Sequence, residues 1–302
     1  MLDSFLISSD IQRKWIEKFK TIEDTFKQRA AKEDIDSKFP FDNIKWLVEE
    51  GYSVLTLPKS YGGEGATIED MVVLQSYLGA IDGATALSIG WHLSVVGQLY
   101  QQHMWSQTML DQFAKEVKNG ALVNRAVSEA DTGSPTRGGR PATHAIKTKD
   151  GYKLNGVKTF TSMSKALTHY IVAAFVEDIQ EVGFFLIPRE SKGLEIADNW
   201  NMLGMRATES HDLVLNDVIV PFENFVETKH KPQPNGWILH IPSVYLGIAQ
   251  AARDYAIEFA KTHSPNSIDG TIATLPTVQQ NVGKMESLLL SARHFLWSTA
   301  TV

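Results

Sequence analysis

Asn124-Arg-Ala-Val-Ser-Glu-Ala-Asp-Thr-Gly-Ser-Pro135 leads through a glycine-rich loop to Asp150-Gly-Tyr-Lys-Leu-Asn-Gly-Val-Lys-Thr-Phe-Thr-Ser162, and this stretch decides the fold. On either side apolar residues recur every three or four positions, whereas here the period drops to two, the repeat of a half-buried strand. Strands are predicted at Leu122–Ser128, His144–Thr148, Tyr152–Asn155, Lys158–Ser162, His169–Val176, Val182–Ile187, Leu194–Ala197 and Asp212–Val220. Asp150-Gly151 between two alternating runs predicts a two-residue hairpin turn with positive φ at both positions. Short strands at this spacing predict an antiparallel sandwich or barrel.

The flanks read as helices. Ile11, Trp15, Phe19, Ile22 and Phe26 form one apolar stripe, and Pro40 closes the link that follows. Asp42 caps a short helix that ends at Gly51. The run from Gly51 to Pro58 reads as extended because of its β-branched content, with a Tyr61–Gly65 turn after it. Thr67 with Asp70 has the spacing of a capping box. Ala84 to Gln102 is small and apolar all round, the pattern of a buried helix, and Ser106 caps another that stops at Gly120. After Pro221 the helical period returns in Val244, Ile248, Ala251, Tyr255 and Phe259, breaks at Ser264-Pro265, and resumes from Val278 to Leu296. The expected class is therefore α+β: a helical domain over 1–120, a middle β domain over 121–228 and a helical bundle over 229–302. That bundle is expected to be incomplete, since two amphipathic helices cannot bury both apolar faces alone and need further helices or a partner chain.

Composition narrows the chemistry. The 302 residues carry a net charge of −6 and are 43% hydrophobic, which suits a globular protein with a large core. No dense Lys/Arg block is present, which argues against nucleic acid and anionic membranes as partners. With no cysteine, disulfides and thiolate chemistry are excluded. The histidines form neither HExxH nor an i, i+4 pair, so no metal site is expected. No apolar run approaches the ~20 residues of a membrane span, and Met1–Trp15 lacks the pattern of a signal peptide, so the expected compartment is the cytoplasm.

The Ser128–Ser134 turn fits two readings. Small hydroxyl residues and a glycine after a strand let backbone and side-chain donors approach a phosphate or a ring carbonyl; the same residues make an ordinary solvent turn. Arg137 and Arg140 fit an anion clamp or a solvated loop. Tyr61–Gly65 has the wrong spacing and context for a dinucleotide fingerprint. His92, in an apolar helix, reads as a hydrogen-bonded core residue, and neither GxSxG nor a Ser-His-Asp set is visible.

Four stretches, in order, resemble the acyl-CoA dehydrogenase superfamily of flavoproteins. Leu57-Pro58 with Tyr61-Gly62-Gly63-Glu64-Gly65 resembles its P-x-x-YGG-x-G stretch. Ala126–Ser134 resembles A-x-TEPxAGSD, and Asn155–Ser162 resembles NGxKxWIT. Leu203 to Pro221 resembles LGxRxSxTxxLxFxDVxVP. The resemblance implies a helix–β–helix fold enclosing FAD and an acyl-CoA thioester, and an enzyme of fatty acid metabolism that removes the α and β hydrogens of its substrate. By position it implies that Arg125, Ala126, Val127 and Ser128 line the flavin, with the Ser128 hydroxyl on the polar edge of the ring. Phe160, Thr161 and Ser162 would cover the other side, Phe160 against the ring and Ser162 near N5. Ser134 falls where the family touches CoA. An electron-transfer flavoprotein is the implied electron acceptor, and a homodimer or homotetramer the implied assembly.

The departures from the pattern are specific. Ser128 and Ser162 replace threonines and keep the hydroxyl, while Phe160 replaces tryptophan and loses the indole N–H. Arg125 stands where an uncharged residue is usual, and Lys261–Asn266 lacks the family's arginine. The family's C-terminal segment, which in most members carries the catalytic glutamate, is expected to be absent. Asn235–His240, where other members place the base, has no carboxylate, so no catalytic base is assigned. A two-component flavin monooxygenase of the same fold and a non-catalytic paralogue or fragment remain as alternative functions.

Overall fold

The computed structural model describes residues 7–133, 139–228 and 234–301. The chain divides into two compact units, one of Met1–Ala30, Ala66–Leu87 and Ile238–Val302, the other of Ala31–Gly65 and Ser88–Trp237.

The first unit is helical. It contains most of α1 (Asp10–Asp36), α3 (Ile68–Ile81), α6 (His240–Thr262) and α7 (Pro276–Ala300). Trp15, Phe19 and Phe26 from the α1 stripe are fully buried, and Phe19 stacks on Tyr77 with ring centroids 6.1 Å apart. The capping box forms: Thr67 Oγ1 accepts from Asp70 N, and Asp70 Oδ2 accepts from Thr67 N. Asp70 Oδ1 also accepts from Gln12 Nε2 at 3.0 Å, which ties α1 to the start of α3. Helices α3 and α6 pack backbone to backbone. A Cβ on Gly247 would lie 2.1 Å from Ser76 O, and Ser76 Oγ donates to Ser243 O at 3.1 Å. Arg253 with Glu286, and Arg293 with Gln250, join α6 to α7.

The second unit is a sheet with helices on it. It holds α2 (Phe41–Glu49), the greater part of α4 (Gly83–Gln101) and α5 (Gln107–Lys118). Eight strands follow: β1 (Val123–Ala126), β2 (His144–Lys147), β3 (Tyr152–Lys158), β4 (His169–Val176), β5 (Glu181–Pro188), β6 (Leu194–Ile196), β7 (Leu213–Val220) and β8 (Phe225–Thr228). They form one sheet in the order β6-β7-β3-β2-β4-β5-β8, with β1 added against β4. The expected antiparallel sheet carries two parallel pairings, β1 with β4 and β2 with β4. Both arise because β4 offers one edge to two strands in turn, Ala126 pairing Val172 and His144 pairing Phe175. Val123, Ile171 and Leu186 face Val96, Leu99, Phe113 and Val117, and this is the core between sheet and helices.

Four expectations need correction. Gly51–Pro58 is not extended: Tyr52–Val54 is a 3₁₀ turn, and Tyr52, Leu55 and Leu57 are fully buried. A short, wholly buried run carries no usable period, so its β-branched content misleads. The β2–β3 hairpin forms, but its connection is the four residues Thr148–Gly151, with Thr148 N donating to Gly151 O at 2.8 Å. Only Gly151 of the pair has positive φ, +150°. Tyr152–Lys158 is one strand, its pairing with β7 shifting register between Leu154 and Gly156 where β7 carries an extra residue, and Phe160–Ser162 lies outside it. Finally, the residues just after Pro221 hold an unpredicted strand, β8, which adds to β5 before the helical period returns in α6.

Candidate functional site

Three bonds tie the two halves of the opening stretch together. Asn124 Nδ2 donates to Ser162 O at 3.3 Å, Thr159 N to Ser128 O at 2.9 Å, and Lys158 Nζ meets Glu129 Oε1 at 2.6 Å. The partners run in opposite directions, 124 to 129 against 162 to 158, so residues 124–129 and 158–162 lie side by side. On its far side the second segment meets a third. Thr161 N donates to His211 O, Met163 N to Thr208 O and Ser164 Oγ to Glu209 O. The predicted site residues from Ser128 and from Phe160 to Ser162 are thus gathered at one corner of the sheet.

The corner is conformationally strained. Phe160, Met163, Met205 and Glu209 all adopt positive φ, at 57°, 63°, 53° and 38°. For residues with a Cβ this is costly, and such conformations cluster at ligand clamps and active sites. Phe160 is 59% exposed, its ring held edge-on to Trp200 at 5.9 Å. The corner thus presents a large apolar ring outward on a left-handed residue. Beside it Thr161 is fully buried, and its Oγ1 has no hydrogen-bond partner among the described residues. Ser162 Oγ contacts Ser210 Oγ at 2.8 Å, and Ser210 Oγ contacts Thr208 Oγ1 at 2.8 Å. Val127 and Ser128 are half-buried and lie past the last β1–β4 pair.

Arg125 stands apart from this group. Strand alternation sends its side chain to the opposite face from Asn124 and Ala126. There its two terminal nitrogens grip Glu227 at 3.1 and 2.9 Å, under Trp105, whose Nε1 also donates to Glu227. Its guanidinium is engaged in a part-buried ion pair that joins β1 to β8, and only its backbone belongs to the corner. Ser134 lies outside the described residues, as does Arg137.

Several residues that organise the corner were not singled out from the sequence. Glu129 accepts from Lys158, Thr132 Oγ1, Ala142 N and Thr143 N, and so closes the loop between β1 and β2 at both ends. Burial alone would raise the Glu129 carboxyl, but the bonds from Lys158, Thr132, Thr143 and Ala142 outweigh it and hold the group at about 2. Lys158 is fully buried, and burial pulls its ammonium down against the support of Glu129. The usable signal was a lysine at an inward position of an alternating strand, which demands a buried anion. His211 is the second organiser. Its Nδ1 accepts from Asn199 N and Trp200 N, which places the proton on Nε2, facing Asp198 at 3.4 Å and Glu209 at 3.7 Å. Burial, with the nearby Lys165, lowers its pKa.

His92 is the core residue the sequence suggests. Fully buried, it accepts from Val123 N on Nδ1 at 3.1 Å and meets Ser53 O through Nε2 at 2.9 Å. Burial pushes it down to about 4, so it is neutral and unsuited to act as a base at the surface. Among the described residues no group of three His, Cys, Asp or Glu could hold a metal ion, and no helix is long and apolar enough to cross a membrane. The corner therefore offers a flat apolar face, several hydroxyls and little acid–base machinery. It is suited to binding a planar, polar-edged group rather than to cleaving a bond by itself.

The chain is similar in sequence and fold to known proteins. Residues 11–113 match the family "Acyl-CoA dehydrogenase, N-terminal domain" and residues 124–218 "Acyl-CoA dehydrogenase, middle domain". The chain is 52% identical to "Putative acyl-CoA dehydrogenase YdbM" of Bacillus subtilis, over 98% of this chain and 79% of that protein. It is also 27% identical to the amino sugar nitrososynthase RubN8 of Streptomyces rubradiris, over 76% of this chain and 57% of that one. Among solved structures, butyryl-CoA dehydrogenase from Megasphaera elsdenii superposes with a TM-score of 0.85 at 20% identity, covering 97% of this chain and 79% of that one. FMN-bound TdsC from Paenibacillus sp. A11-2 gives 0.84 at 20% identity, covering 95% and 76%. The chain belongs to the acyl-CoA dehydrogenase family.

Proposed function

We infer that the corner at Phe160–Ser162 binds the isoalloxazine ring of a flavin, FAD in keeping with the family. On this reading the chain works as an oxidoreductase on an acyl-CoA thioester. The observation that carries the reading is Thr161: its hydroxyl is buried with no partner among the described residues, next to an outward-facing aromatic ring. An orphaned buried hydroxyl is costly unless a ligand satisfies it, and a ring edited with carbonyls and nitrogens along one edge does so. The residues present fit the group. Ser128, with the backbone of Arg125, Ala126 and Val127, would meet the polar edge of the ring, while Phe160, Thr161 and Ser162 would cover the other side, Phe160 against the apolar face and Ser162 near N5. Ser134 is proposed to touch the CoA portion.

A flavin bound there supplies the acceptor for the β-hydride, at N5, while the α-proton leaves to a base. The chain's own part is to orient the ring and to keep water from its covered face. None of the residues described is assigned as that base. An electron-transfer flavoprotein is the proposed acceptor of the electrons. The exposed apolar residues Tyr255, Leu288 and Phe295 on α6 and α7 support pairing with a second copy, as a homodimer or homotetramer.

The purified protein is expected to show the absorption bands of oxidised flavin, and an acyl-CoA added without oxygen is expected to bleach them. A second reading, a two-component flavin monooxygenase, is favoured by the likeness to a nitrososynthase and by the absence of a carboxylate from residues 235–240. In that case the protein takes up only reduced flavin and then consumes oxygen, and no acyl-CoA bleaches it. A chain that binds neither form would be a non-catalytic relative.

A further inference from the structure

Behind Ser162 runs a chain of hydroxyls that has no evident part in packing. Ser162 Oγ lies 2.8 Å from Ser210 Oγ, Ser210 Oγ lies 2.8 Å from Thr208 Oγ1, and Thr208 Oγ1 lies 2.9 Å from Met205 O. All three residues are buried, at 8%, 4% and 1% exposure, and the chain starts and ends on strained backbone, near Phe160 and at Met205. Each hydroxyl has one proton to give, and the last contact is to a carbonyl, which only accepts. Three protons fill three internal contacts in one direction alone: Ser162 to Ser210, Ser210 to Thr208, Thr208 to Met205 O. The opposite direction fills two and turns the Ser162 proton outward. It strands no acceptor, because Met205 O also receives Thr208 N at 3.1 Å and Trp200 Nε1 at 3.3 Å. The resting arrangement thus spends the Ser162 proton inward and leaves a lone pair toward whatever stands at the corner.

We propose that Thr208 and Ser210 are positioning residues that hold Ser162 as a hydrogen-bond acceptor toward N5 of the flavin, so that the site favours the reduced ring. This rests on the flavin reading above. The chemistry is general. An oxidised isoalloxazine edge presents acceptors at N1, O2, O4 and N5 and a single donor, N3–H. Reduction places a proton on N5, which an inward-committed serine receives and a free serine would not preferentially seek. No proton leaves the protein in this step; the three hydroxyls only set which way one of them points.

The test is the ratio of two affinities, measured on the full chain by quenching of protein fluorescence. Oxidised FAD is titrated in air, and dithionite-reduced FAD without oxygen. In Thr208→Val, Ser210 loses its acceptor and its proton turns to Ser162 Oγ, which drives the Ser162 proton outward. The preference for reduced over oxidised FAD is expected to fall by about tenfold, on the order of one hydrogen bond. That corresponds to about 30 mV in the two-electron potential of the bound flavin. Thr208→Ser keeps the hydroxyl and is expected to keep the wild-type ratio, and Ser210→Ala to shift it as Thr208→Val does. General damage to the corner would weaken both forms alike. If Thr208→Val changes both affinities by the same factor, or neither, the proposal is overturned while the flavin site stands. If the unaltered protein binds FAD in neither state, the flavin reading falls and takes the proposal with it.

Discussion

At the scale of single residues, the charge pair Glu129–Lys158 decides whether the corner exists. Removing one member of a buried pair strands the other, and that typically costs roughly 3–5 kcal/mol. Lys158→Met is therefore expected to destabilise the protein by about that much, because Glu129 stays buried with only neutral donors. Replacing both, as in Glu129→Gln with Lys158→Met, is expected to cost less than Lys158→Met alone. Urea denaturation of the three proteins checks this, and a double variant worse than the single one would show that the pair's charges do not matter to each other. The pair also shows the limit of reading by pattern. Ala126–Ser134 and Asn155–Ser162 were legible as motifs, and they contain both charges. That Glu129 and Lys158 meet was not, because the contact spans 29 positions of chain. Thr208 and Ser210 were hidden for the same reason. A hydroxyl's partner is a matter of tertiary geometry, and serine and threonine carry no period.

At the scale of elements, legibility followed the length of the pattern. The stripes of α1, α6 and α7 and the apolar runs of β4 and β5 extend over many residues, and each element stands where its pattern places it. Short pieces fared worse: Gly51–Pro58 and β8 carry too few residues for a period to outvote composition. The most exacting contact between elements, that of α3 with α6, rests on glycine. Gly247 has Ser76 O where a Cβ would be, 2.1 Å away, with Ala80 N at 2.8 Å, so both obstacles are backbone and neither can swing aside. Gly247→Ala is expected to cost about 3 kcal/mol, at the upper end for overpacking, despite alanine's better helix propensity. Gly283 in α7 is the control, since among the described residues nothing lies within 4 Å of its would-be Cβ. Gly283→Ala is expected to stabilise by about 0.5–1 kcal/mol. Thermal unfolding of the two variants should move in opposite directions, and a fall in both would mean that helix propensity and clearance are not what separate them.

At the scale of the whole molecule, the buried histidines and Glu129 together set the response to acid. His92 is held at about 4 and His240 at about 3 by burial, and burial also lowers His169 and His211. A histidine whose folded pKa lies below its unfolded value of 6.5 takes up a proton on unfolding. Its contribution is fully present above that pH and is lost as the pH falls through the interval down to the folded value. For His92 the window is 6.5 to about 4, and for His240 6.5 to about 3. Each fully buried histidine contributes a slope of up to about 1.4 kcal/mol per pH unit within its window. Glu129 joins lower down. Its folded pKa of about 2 lies below the ordinary 4.5, so its stabilisation is present above 4.5 and drains away between there and 2. The midpoint of urea unfolding is therefore expected to be level from pH 8 to about 7, to fall from 6.5 downward, and to fall more steeply below 4.5. His92→Gln separates the histidine part from the rest. It lowers stability at pH 7.5 by breaking the bonds to Val123 and Ser53, yet its profile between 6.5 and 4.5 should be flatter than the wild type's. A variant profile parallel to the wild type's across that interval would show that His92 takes no part in the acid response.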